Sequence, residues 1–204
     1  MESRIYIYPG WLRIWHFVNG ILCILLIISG ISMQYSGIDD VIMEFGTAVK
    51  MHNISGVALT AFYALFFFGN MFTWNGRQYW LYRKGVFSNM YRQFIYYTIG
   101  VFKNANAPFP ITRDNKFNPL QRFVYFIVGY IMLIVVILTG WAYLFPEFVP
   151  STVFGVSGLM INDLLHIFAG FIISIFLFIH VYFCTMGNKK MKNFMGMING
   201  FHTH

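Results

Sequence analysis

The sequence predicts an all-α membrane protein, a four-transmembrane-helix bundle with both termini cytoplasmic, and three observations carry that expectation. Of its 204 residues, 58% are apolar and only 10% are charged, where a soluble domain carries about 25% charged residues. Four charge-free apolar stretches run from about Trp15 to Met33, Met51 to Trp74, Phe123 to Phe145 and Leu164 to Met186. All 14 basic residues except Lys50 fall where a single membrane face would hold them.

Each stretch is close to or above the roughly 20 helical residues that cross a hydrocarbon core. Helices are expected because they satisfy their own backbone groups in lipid without closing a barrel. The chain reads as one domain, 1–204, with spans near 11–33, 51–74, 119–145 and 161–186 and no convincing internal repeat. The first stretch is too long for a signal-peptide core and no small-residue cleavage site follows it, so it is expected to be retained. The 21% aromatic content fits rings placed at two membrane interfaces.

The charges give the orientation. Arg4 and Arg13 precede or open the first span. Arg77, Arg83, Lys84, Arg92, Lys103, Arg113, Lys116 and Arg122 lie in the connector 75–118 and at its junction with the third span, and Lys189, Lys190 and Lys192 lie in the tail. The opposite loops hold Asp39, Asp40, Glu44, Lys50, Glu147 and Asp163. The positive-inside rule then places the termini and the long connector in the cytoplasm. The net charge of +7 is explained by this topology and implies no nucleic-acid partner. Cys23 and Cys184 sit inside spans, without the paired spacing of a metal site or disulfide, and read as small hydrophobes.

Two connector features stand out. Its middle, about Gly85 to Phe102, mixes aromatics with Arg92 and reads either as an amphipathic helix in the interface or as a loop carrying topology charges. Its end is sharper: Asn118, Pro119 and Gln121 occupy the N-cap, first and third positions of a helix start.

The histidines carry the chemistry. His202 and His204 lie in the polar tail and read as solvated. His16, His52, His166 and His180 lie in or at the edges of spans, where ionisable groups are costly and mark function by default. His166 and His180 are 14 residues apart. That is about 21 Å along a helix and about 40° around it, so they share one face near opposite membrane surfaces. His16 lies at the depth of His180 and His52 at the depth of His166. Two pairs result, His16/His180 and His52/His166, each able to offer two axial imidazoles to a haem iron. The separation excludes one zinc site, whose ligands must converge within about 2 Å of the ion.

Glycines follow three of these histidines by four residues: Gly20, Gly56 and Gly170. Four residues is one turn on the same face, where a side chain would collide with a macrocycle. Gly30, 14 residues after His16, faces the same way at the other depth. The alternative is that small residues simply let membrane helices pack closely.

These residues resemble the di-haem cytochrome b subunits that anchor bacterial membrane-bound oxidoreductases, a group including the gamma subunit of respiratory formate dehydrogenase and its relatives in hydrogenases and thiosulfate reductases. Arg13-Ile14-Trp15-His16 resembles the family's first-helix motif, Met51 to Gly56 its second-helix motif, and Leu165-His166 through Gly170 with Ile179-His180 its fourth-helix motif. Phe194 and Met195 to Gly200 resemble its closing segment. The resemblance implies two haem b groups, location in the bacterial inner membrane among its lipids, and an external-side catalytic or iron–sulfur subunit as partner. It also implies exchange with menaquinone or ubiquinone. In the formate dehydrogenase relatives the quinone lies near an Asn-x-x-Gln motif that Asn118 to Gln121 resembles, with Pro119 and Leu120 standing where those relatives carry smaller residues. Helix capping accounts for the same two residues. Arg13 is matched to a haem propionate, with a topology charge as its alternative. Two rival functions remain: a stand-alone quinone-linked haem b oxidoreductase acting on a small redox partner, and a haem-free transporter or scaffold using its histidines for protons.

Overall fold

The structure, a computed structural model, describes residues 4–35, 42–81, 85–103, 105–112, 114–185 and 192–203. Asp39, Asp40, Arg83, Lys84, Arg113, Met186, Lys189, Lys190 and His204 lie outside the described residues.

Four helices are long and apolar enough to cross a membrane: α1 (Gly10–Tyr35), α2 (Phe45–Phe72), a third span Pro119–Leu144, and a fourth over Gly158–Thr185. With 26 to 28 residues each, they reach about 39 to 42 Å, beyond a hydrocarbon core of about 30 Å. The connector between the second and third spans contributes α3 (Val86–Ile95), continued by a π-helical turn Tyr96–Gly100 and a 3-10 turn Val101–Lys103. Of the two sequence readings of this segment, the helical one matches. The third span is α4 (Pro119–Ile127) and α5 (Leu133–Leu144), joined by a π-helical turn Val128–Met132. The fourth span is α6 and a short α7 (Lys192–Asn199) follows.

Why the helices start where they do is visible in their caps. Asn118 accepts from the Gln121 amide at 2.9 Å, and the Gln121 side chain accepts from the Asn118 N–H at 3.2 Å, the reciprocal capping box the sequence predicts. The second span begins at Phe45, earlier than residue 51, because Glu44 caps it, accepting from the Gly46 and Thr47 amides at 2.9 and 2.7 Å. A negative cap also complements the helix dipole. These bonds hold the Glu44 carboxyl below its usual pKa. His52 therefore sits two turns inside α2 rather than at its edge.

The lipid side is written along α1, where Ile14, Phe17, Ile21, Ile24, Ile28 and Ile31 are all exposed. Steps of three and four keep them on one stripe. The core lies on the opposite side. Phe66, 1% exposed, stacks on Trp15 at 4.1 Å and meets Tyr79 and Tyr130 at 5.7 Å each. Leu12, Cys23, Leu59, Val128, Leu133 and Ile173 complete it.

The connector is tied into this core. Lys116 donates to Asn75 Oδ1 at 2.8 Å and Asn75 donates to Asn70 at 2.6 Å, while Gln78 accepts from the Lys116 backbone N–H at 3.2 Å. Burial pushes the Lys116 ammonium down to a pKa of about 8. Lys116 and Arg122 are both buried, so two of the basic residues read as topology charges are structural as well.

The chain's two ends meet. Strand β1 (Arg4–Tyr6) pairs antiparallel with the last strand, Phe201–Thr203, setting Ile5 opposite His202. His202 is therefore a strand residue, half-buried opposite Ile5. At the opposite end a two-stranded hairpin, β2 (Thr152–Val153) with β3 (Val156–Ser157), precedes α6; the terminal strand is β4 in chain order.

Gly200 makes the terminal pairing possible. Its φ is +89°, and a Cβ there would lie 2.6 Å from Tyr6 Cε2 and 2.9 Å from the Tyr8 carbonyl oxygen. Gly200→Val should cost about 2 kcal/mol or more and lower the unfolding midpoint in detergent; an unchanged midpoint would show that the termini do not pair this way. Glu44→Ala should lower the midpoint at pH 7. Because the folded pKa is depressed, the cap's contribution is present above the free value of 4.5 and is lost as pH falls through the folded value. Melts at pH 7 and near pH 3 should show the difference between wild type and variant shrinking at the lower pH, and a difference that does not shrink would contradict the assignment.

Candidate functional site: two histidine pairs along one helix

α6 presents His166 near the end that holds the β2–β3 hairpin and His180 near the end that holds the termini. α1 brings His16 to His180, with ring centroids 5.9 Å apart and planes at 57°. α2 brings His52 to His166, at 6.1 Å and 62°. In close backbone packing, α1 lies against α2 and α6 against α5, whereas α6 stands off from both α1 and α2. The ring pairs bridge that gap.

The residues present fit a haem between each pair. Metal–imidazole bonds of about 2 Å on both sides of an iron place the ring centroids roughly 6 Å apart, which both pairs meet. A Cβ built on Gly20, Gly56 or Gly170 would meet no atom within 4 Å, so open space flanks His16, His52 and His166 one turn away. Among the described residues no group of three or more His, Cys, Asp or Glu gathers as a metal cluster, so a compact zinc-like centre has no donor set here.

Gly30 plays a different part from the other three. A Cβ there would sit 3.6 Å from Cε1 of His52, so this position gives the His52 ring an ordinary van der Waals contact on its helix, one that an alanine would also give. Gly140, which the sequence reading passed over, does the same for His166, again at 3.6 Å from Cε1. The residue before each is a buried hydroxyl: Ser29 Oγ lies 3.0 Å from His52 Nδ1, and Thr139 Oγ1 lies 2.7 Å from His166 Nδ1. A Ser/Thr-Gly dipeptide late in the first and third spans was the available signal.

The pair at the termini end is built otherwise. Among the described residues, buried His16 Nδ1 has no hydrogen-bond partner, nor have Trp15 Nε1 and Asn19 Oδ1. Cys184 Sγ lies 3.9 Å from His180 Nε2. Rings border the pair on one side, where Tyr125 and Phe176 meet His180 at 6.0 and 5.4 Å.

Arg13, Asn118 and Gln121 each have a structural partner. Arg13 donates to the Ile198 carbonyl at 2.5 Å and so ties α1 to α7. Asn118 and Gln121 form the cap already described, and Asn118 also donates to the Tyr97 hydroxyl at 2.7 Å. Beside them a cavity of about 250 Å³ is lined by Trp80, Val86, Phe109, Phe117, Pro119 and Arg122 among others.

The sequence profile described as prokaryotic cytochrome b561 matches residues 7–200, a range that includes all four paired histidines. The chain is also 34% identical over 206 residues to the "Putative cytochrome YdhU" of Escherichia coli (strain K12), covering 99% of this chain and 76% of that relative. No solved structure matches it. Four membrane-crossing helices, paired intramembrane imidazoles and this match together show that the chain belongs to the prokaryotic cytochrome b561 family, multi-pass bacterial membrane cytochromes whose haem b carries electrons across the bilayer.

Proposed function

We propose that this chain binds two haem b groups, one between His16 and His180 and one between His52 and His166. On this reading it carries electrons between an external-side catalytic or iron–sulfur subunit and the membrane quinone pool. The observation behind it is the placement of two facing imidazole pairs, 14 residues apart on α6, with ring spacings of 5.9 and 6.1 Å. Bound haem supplies reversible one-electron chemistry, and the protein supplies position and surroundings. α6 sets the separation of the two sites, α1 and α2 each close one of them, and the open faces at Gly20, Gly56 and Gly170 leave room beside the ligands.

The one-sided basic residues support a cytoplasmic location for the termini and for the His16/His180 site. The His52/His166 site then faces the external partner. Asn118 and Gln121 are the proposed quinone contacts. The cap engages their side-chain oxygens; each amide carries two N–H donors, of which Asn118 gives one to the Tyr97 hydroxyl, and the others suit a quinone carbonyl. Proton uptake on that side would make quinone reduction separate charge across the membrane.

Replacing His52 or His166 with alanine should remove one and the same haem, and replacing His16 or His180 should remove the other, as read by reduced-minus-oxidised spectra and haem content. A variant of either pair that retains both haems would refute the pairing. Purification in mild detergent should bring down an iron–sulfur or molybdenum subunit with the cytochrome. A red protein that purifies alone from such extracts would refute the anchor role and favour a stand-alone oxidoreductase.

A further inference from the structure

We propose that Ser29 and Thr139 are positioning residues that hold His52 and His166 in one tautomer and make their haem the lower-potential member of the two. The inference rests on the two-haem reading above. Both hydroxyls are buried, at 0% and 7% exposure. Ser29 Oγ donates to the Leu25 carbonyl at 2.7 Å, and Thr139 Oγ1 donates to the Val135 carbonyl at 2.6 Å. A carbonyl only accepts and a hydroxyl has one proton, so that proton is committed to the helix backbone. Toward the imidazole each oxygen can then only accept. The Nδ1 atoms 3.0 and 2.7 Å away must carry the hydrogen.

An imidazole protonated at Nδ1 keeps its lone pair on Nε2, ready for a metal. The acceptor on the far side also increases ligand basicity. A more basic ligand favours the more positively charged, oxidised iron, and outer hydrogen bonding of this kind is one of the levers on haem potential. Gly30 and Gly140 lie beside the same two rings, where a Cβ would be in ordinary contact 3.6 Å from Cε1 of each. Asn162 braces one copy by donating to the Thr139 carbonyl at 3.2 Å. Among the described residues no hydroxyl stands at the other pair: His16 Nδ1 has no hydrogen-bond partner there, and His180 has beside it a thiol 3.9 Å from Nε2, a weak hydrogen-bonding group. The asymmetry sets a direction, with electrons falling from the His52/His166 site to the His16/His180 site.

An optical redox titration of the purified full-length cytochrome tests this, with the His52→Ala spectrum identifying which haem is which. In the wild type, the haem absent from His52→Ala should be the one with the lower midpoint potential. In Ser29→Ala/Thr139→Ala its potential should rise while that of the other haem stays put, and Thr139→Ser in place of Thr139→Ala should recover part of the shift. Loss of this haem alone in the double alanine variant, with retention in Thr139→Ser, would equally support the hydroxyls as holders of the ligands. An unmoved potential, equal movement of both haems, or the reverse order in the wild type would overturn the proposal. Wild-type protein with fewer than two haems would overturn the two-haem reading itself, and this proposal with it.

Discussion

An imidazole inside a bilayer has two nitrogens and no water to satisfy them, and the bundle is organised around that constraint. Leaving a polar atom unpaired in an apolar medium costs several kcal/mol. At the His52/His166 level, one nitrogen of each ring is given to a helix hydroxyl, Ser29 or Thr139. The two rings stand 6.1 Å apart, centroid to centroid, a gap of metal-binding width. At the His16/His180 level the gap is similar, but among the described residues aromatic rings rather than hydroxyls stand beside His180.

The remaining architecture keeps those gaps open and those rings aligned. α6 is the ruler: fourteen residues place its two histidines on one face about four turns apart. α1 and α2 form one closely packed unit and α5 with α6 another. Cross-ties fix one against the other, including the Trp141 indole donating to Thr60 at 3.1 Å. The Phe66 cluster fills the space between α1, α2 and the third span. The β1–β4 pairing and the bond from Arg13 to Ile198 clasp the end of the bundle nearest His16. The Lys116–Asn75–Asn70 chain holds the connector against the end of α2. None of these contacts is redox chemistry, yet each limits how far the rings can drift.

Much of this was legible in the sequence because two simple periods govern it. Membrane thickness gives the spans, and 3.6 residues per turn gives the shared face of His166 and His180. From these two rules the ring pairs can be named before any coordinates. The Asn118-Pro119-Leu120-Gln121 cap was equally readable, since capping depends on neighbours three residues apart. What escaped depends on contacts remote in sequence. Ser29 and Thr139 look like ordinary helix hydroxyls until α2 and α6 bring histidines to them. Gly140 follows no histidine by four residues, so the pattern that singled out Gly20, Gly56 and Gly170 missed it. Strand β1 has only three residues and gains meaning from a partner almost 200 positions away. Lys116 and Arg122 resemble surface charges because composition does not report burial, and the early start of α2 turned on an acidic cap that was counted as a loop charge.

The central physical claim is that this bundle is a doubly loaded conductor, with one iron at each depth. The most direct measurement is the haem b content per chain of the purified protein, by pyridine haemochromogen absorbance against amino-acid analysis. Two haems per chain is the expected value. A fully loaded preparation holding one haem, or none, would mean that at least one of the two histidine pairs faces its partner for some reason other than binding iron.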